Sequence, residues 1–173
     1  MNKKADIWIS AVLYTGLGVI LLSIILAVGI PVINKIRDKN TAIETENLML
    51  SLDSQIRAVY TEGPGSRRPF KFEVNKGNLE VDEDQETIIW TFETTALLSE
   101  PGIPVKKGNL ILLTEETGNK DIYTSSFKLN YKDVLNLKLQ SAQATFTGSN
   151  SLLISNSGTE GTPPLPTISI TSI

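Results

Sequence analysis

The sequence predicts an α+β protein: a long N-terminal hydrophobic α-helix, kinked near Pro31, followed by an antiparallel all-β head. Three observations carry this. From Ile7 to Asn34 the 173-residue chain holds 28 residues without a charge. From Asn34 to Tyr60 it holds neither glycine nor proline and turns amphipathic. Beyond Gly63-Pro64-Gly65 the apolar residues recur at every second position, the period of a half-buried strand.

The uncharged run decides the class. About 20 apolar helical residues cross a bilayer, and this run would reach about 42 Å at roughly 1.5 Å per residue. A core helix of a soluble protein keeps a polar stripe over such a length, and this one has none. Gly16, Gly18, Ala27 and Gly29 are small enough to let neighbouring helices approach closely, so they are the expected packing positions, together with Pro31. Pro31 lacks the amide donor and crowds the carbonyl four residues back, hence the expected kink. Lys3 and Lys4 before the run face Lys35, Arg37 and Lys39 after it, so charge does not fix the orientation. Trp8 and Tyr14, near the start, suit either packing between subunits or anchoring at a bilayer interface.

The stem, residues 35–60, places Met49, Leu52, Ile56, Val59 and Tyr60 on one helical face. Gly63-Pro64-Gly65 ends it. In the head, residues 63–173, Phe70/Phe72/Val74, Ile88/Trp90/Phe92, Phe127/Leu129/Tyr131 and Leu135/Leu137/Leu139 each alternate with more polar residues and are expected to face a core. Turns are expected at Asn75–Asn78, Gly102–Pro104 and Gly118–Asn119. A Lys-Gly-Asn-Leu tetrapeptide occurs at residues 76–79 and 107–110, and both copies read as hairpin turns. Leu110–Leu113 reads as a central strand covered on both faces. Ser141–Ile173 holds 13 Ser or Thr and a single charge, Glu160. Its strands are expected at Leu152–Ile154 and Ile168–Ile170, with a flexible loop over Gly158–Pro166.

Composition narrows the chemistry. With no cysteine and no histidine, the chain offers no thiolate, no zinc site of the sulfur type and no imidazole base. It is therefore not expected to be an enzyme or to carry a cofactor or metal. The net charge of −3 gives no footprint for nucleic acid. Asp82, Glu83, Asp84 and Glu86 form an acidic run whose carboxylates suit calcium. The spacing lacks the glycine and distal glutamate of a calcium loop, so a solvated turn is the expectation. Arg67 and Arg68 are expected to be solvated, and no Asn-x-Ser/Thr sequon is present.

The N-terminus, Met1-Asn2-Lys3-Lys4-Ala5-Asp6-Ile7, resembles a class III signal peptide, the leader of archaeal type IV pilins and archaellins. In that family a prepilin peptidase cuts after a basic residue and a Gly or Ala and leaves the hydrophobic helix on the mature chain. Lys4, Ala5, Asp6 and Ile7 match the motif, with the cut between Ala5 and Asp6. The mature fifth residue would be Ser10, where bacterial type IV pilins usually carry glutamate, so the archaeal branch fits better. The resemblance implies a leader at residues 1–5, a helix at 6–62 (hydrophobic 7–34, then the stem) and a head at 63–173. Losing Lys3 and Lys4 would take the net charge from −3 to −5.

It further implies a homopolymer built through the N-terminal helix, with the prepilin peptidase and the pilus assembly machinery as partners. The chain would lie in the cell membrane as a precursor and then in an extracellular surface filament serving adhesion. An archaellin for motility is a variant of that expectation. A monomeric, single-pass membrane-anchored β-domain acting as a binding module is the alternative.

Overall fold

A computed structural model describes residues 3–119, 121–141, 143–161 and 164–173, with side chains in the first helical turns described at residue 8 and from residue 10 onward. One helix, α1 (Lys3–Glu62), is followed by eight strands: β1 (Arg67–Asp82), β2 (Thr87–Thr94), β3 (Val105–Lys107), β4 (Leu110–Glu116), β5 (Tyr123–Asn130), β6 (Asn136–Leu139), β7 (Thr145–Glu160) and β8 (Leu165–Ser172). The α+β expectation holds. The chain divides into two compact units at Arg37/Asp38. The first is helical. The second contains the rest of α1 and every strand, so the stem from Asp38 onward belongs with the sheet.

The helix stays hydrogen-bonded through Pro31, and the carbonyl that loses its donor there is that of Ala27. In the second unit, Met49, Leu52, Ile56 and Val59 lie at or below 2% exposure, and each contributes about 1.5–3 kcal/mol of burial. They share one core with Phe72, Leu79, Trp90, Phe127, Leu129 and Ile168. Phe72 meets Trp90 and Phe146 edge-on at centroid distances of 6.5 and 6.4 Å, the arrangement that ring quadrupoles favour. Tyr60, expected on the same face, is instead 40% exposed. It sits in the last turn beside an open cleft with Gly63, Asn156, Thr159 and Pro166.

The eight strands form one sheet in the order β3-β4-β5-β2-β1-β7-β8-β6. All pairs are antiparallel except β6 with β8. That exception follows from the path: β7 and β8 form a long hairpin, and β6 lies outside β8 running the same way. The inward residues expected on β1, β2 and β5 are all buried, Trp90 among them at 2% exposure.

Four expectations are corrected. Asn75–Asn78 is no turn: β1 runs straight through it, and the pairing with β7 jumps from Val74↔Gly148 to Leu79↔Phe146 across a bulge. The two Lys-Gly-Asn-Leu copies therefore differ, one in that bulge and one leading from the β3–β4 turn into β4. Gly77 explains the first copy. Its φ is +78°, and a Cβ there would lie 1.9 Å from the Thr91 carbonyl oxygen, so the strand bulges where only glycine passes. The Lys76 carbonyl released from the ladder accepts the Trp90 indole N–H at 3.0 Å.

Leu110–Leu113 is not doubly covered. Leu110 is buried while Ile111, Leu112 and Leu113 are half-buried, because β4 is second from the sheet edge. In the region Gly158–Pro166, expected as a flexible loop, residues 158–160 and 165–166 are strand, with Thr159 paired to Pro166 and Glu160 to Leu165, while 162 and 163 lie outside the described residues.

Candidate functional site

The first unit carries an apolar surface that nothing in it covers. The large apolar side chains described between Trp8 and Ile33 are 50–76% exposed. Two of its hydroxyls are satisfied internally: Thr15 Oγ1 donates to the Ala11 carbonyl and Ser23 Oγ to the Val19 carbonyl, both at 2.8 Å. The helix is long and apolar enough to cross a bilayer.

A Cβ added to Gly16, Gly18 or Gly29 meets nothing within 4 Å, and Ala27 is exposed, so no contact among the described residues explains these small residues. Their spacing is informative. Gly18 and Gly29 are eleven apart, as are Gly16 and Ala27, and eleven residues return the helix to within about 20° of the same face. The two pairs are about 200° from each other, which puts small residues on opposite sides of the helix. Pro31 lies in the same uncovered segment. The side chains of Lys4, Ala5, Asp6 and Ile7 fall outside the described residues, so the leader motif is untouched by the geometry.

The chain matches no family model, no curated protein and no solved structure.

The head's polar network has two centres that sequence reasoning missed. Asp38, in the stem, is 8% exposed and accepts from Lys76 Nζ at 2.5 Å, from the Thr95 amide at 2.6 Å and from Thr95 Oγ1 at 2.8 Å. Asp53 accepts from Arg57 Nε at 2.8 Å, Tyr131 OH at 2.9 Å and Asn109 Nδ2 at 3.0 Å. The only sequence signal for Asp38 was an acid among Lys35, Arg37 and Lys39. The network that uses it spans 57 residues of chain, which no local pattern reveals.

Burial alone would raise the Asp38 pKa. The hydrogen bonds from Lys76 and Thr95 outweigh it and hold the carboxyl below its ordinary 3.8. A folded value below the unfolded one stabilises the fold above pH 3.8, and that stabilisation is lost as pH falls through the folded value. Asp38→Ala is expected to destabilise the head by about 1–3 kcal/mol at pH 7, since it strands a backbone amide and an ammonium. The difference from wild type should shrink on acidification. Urea denaturation at pH 7 and pH 3 checks both.

The acidic run is an exposed turn, as expected, but not a wholly solvated one. It forms the β1–β2 turn, and two of its carboxylates reach another strand: Glu86 accepts the Leu137 amide and Glu83 the Leu139 amide. Among the described residues no cluster of three acidic, histidine or cysteine side chains has metal-holding geometry. Burial, with the nearby Glu83 charge, raises the Glu86 pKa against the lowering bond from Leu137, so acid acts on Glu86 and Asp38 in opposite directions. Arg68 is not free either, pairing with Glu62 and reaching Gln55 Oε1 at 3.4 Å.

Proposed function

We propose that this chain is the structural subunit of an extracellular archaeal type IV pilus-like filament, polymerising through its N-terminal hydrophobic helix and serving adhesion or surface attachment. The observation that carries this reading is the uncovered apolar run itself, with small residues on two opposite faces. A lone membrane anchor needs no particular residue on any face, because lipid is isotropic. A helix held between neighbours needs close approach on more than one side, as in a polymer core. Helix contacts of similar apolarity then replace lipid contacts, so a precursor can leave the membrane without exposing the run to water.

The stem supports the same reading. It enters the head's core as the end of the same helix, with no Gly/Ser-rich or Pro-rich linker of the kind that tethers an independent module. The partners that follow are copies of this chain, a prepilin peptidase acting at Lys4-Ala5-Asp6-Ile7, and an assembly machinery.

Electron microscopy of material sheared from expressing cells, with N-terminal sequencing of the same material, tests the proposal. The expected result is regular filaments whose subunit begins at Asp6, and Lys4→Glu should leave the unprocessed precursor in the membrane. Wild-type cells that yield this chain only as a membrane-held monomer would put the anchored binding module in its place.

A further inference from the structure

The sheet has two edges, β3 and β6, and each presents a row of backbone donors and acceptors to any strand that approaches. β3 is protected by composition. It is three residues long, follows Pro104 and carries Lys106 and Lys107, all features that discourage strand addition. β6 reads Asn136-Leu137-Lys138-Leu139 and has no such protection in its own sequence apart from one lysine.

Its amides divide by parity. In a strand, successive N–H groups point to opposite sides. Gln140 donates to the Ile170 carbonyl of β8, so the even-numbered amides face the neighbour and those of Leu137 and Leu139 face the open side. Those two are the amides that Glu86 and Glu83 accept. The carboxylates come from the β1–β2 turn, more than fifty residues earlier in the chain, and they bring negative charge to the line a further strand would occupy.

We propose that the acidic β1–β2 turn is a strap that closes the β6 edge, and that without it the β6 strands of two copies pair antiparallel about Lys138. Ordinary strand geometry fixes the register. Leu137 of one copy and Leu139 of the other would exchange N–H···O bonds on either side of a central Lys138–Lys138 pair, whose Cα atoms would be about 4.5 Å apart. The carboxylates prevent this in two ways, by occupying the donors and by placing like charges opposite each other. The inference is independent of polymerisation through the helix, though heads crowded at a surface would have the most need of it.

The chain has no cysteine, so a single Lys138→Cys substitution reports the pairing without background. It removes an exposed ion pair to Glu160 of small value. In the full-length chain, purified in detergent and oxidised with copper phenanthroline, Lys138→Cys alone is expected to remain monomeric on a non-reducing gel. With Glu83→Ala and Glu86→Ala added it should become mostly covalent dimer. With Glu83→Gln and Glu86→Gln it should stay mostly monomeric, because the amide oxygens still accept. A folded Ala/Ala variant that stays monomeric overturns the proposal, as does equal dimerisation of Lys138→Cys alone. Should Ala/Ala fail to fold, the exposed Glu83 decides: Glu83→Ala should speed hydrogen exchange at the Leu139 amide about tenfold, and unchanged exchange overturns the strap.

Discussion

Gly18→Leu is expected to leave expression and membrane insertion intact while sheared surface filaments disappear. The helix itself gains from the change. Leucine has the better helix propensity by up to about 1 kcal/mol and adds apolar surface, both favourable to a lone span. No described residue opposes it, because a Cβ at Gly18 meets no atom within 4 Å. Any penalty must therefore come from a second chain. A helix packed closely at Gly18 would be pushed away by four new carbons, and a loss of about 1.4 kcal/mol at each interface already lowers association tenfold. Ile24→Leu, at a position 57% exposed, keeps volume and should assemble normally. Membrane fractionation and electron microscopy of the sheared fraction read the two outcomes separately. Normal filaments from Gly18→Leu would remove Gly18 from the packing surface.

Gly77→Ala should be among the most damaging single changes in the head. The new Cβ would lie 1.9 Å from the Thr91 oxygen and 2.6 Å from the Phe92 Cβ, and the first of these is backbone held in the β2 ladder. Neither atom can swing aside as a flexible side chain would. Adding the strain of a positive φ, the expected loss is about 3 kcal/mol or more. Gly102→Ala is the matched control: φ is +75° there, but nothing lies within 4 Å, and a loss of about 1 kcal/mol is expected. Urea denaturation followed by Trp90 fluorescence compares them. Equal losses at the two positions would mean that the bulge yields, and that strain alone sets the cost.

Sequence periodicity determines a good deal of this molecule. A charge-free run of 28 residues is, as a helix, long and apolar enough to cross a bilayer, and its uniformity leaves no polar face to turn toward water. The period-two pattern of Phe70/Phe72/Val74, Ile88/Trp90/Phe92 and Phe127/Leu129/Tyr131 likewise decides which side chains face the core, since alternation is a property of the strand and needs no partner. On the proposed reading, the Lys4-Ala5-Asp6-Ile7 motif and the small residues of the helix would meet a peptidase and another chain, so the clue to them is local as well.

Long-range placement is another matter. Asn75–Asn78 has the composition of a turn, and only the neighbouring β2 backbone makes it a bulge that β1 runs through. The acidic run 82–86 reads as a solvated turn and is largely exposed, but two of its carboxylates take the Leu137 and Leu139 amides, 51 and 56 residues away, which are open only because β6 is an edge. Asp38 is unremarkable in sequence and becomes the carboxylate that binds the bulge and the loop after β2. Local propensity and hydrophobic period act over a few residues. Strand order, edge exposure and the partners of a buried charge are consequences of which segments meet, and these come into being only when the sheet has closed on the stem.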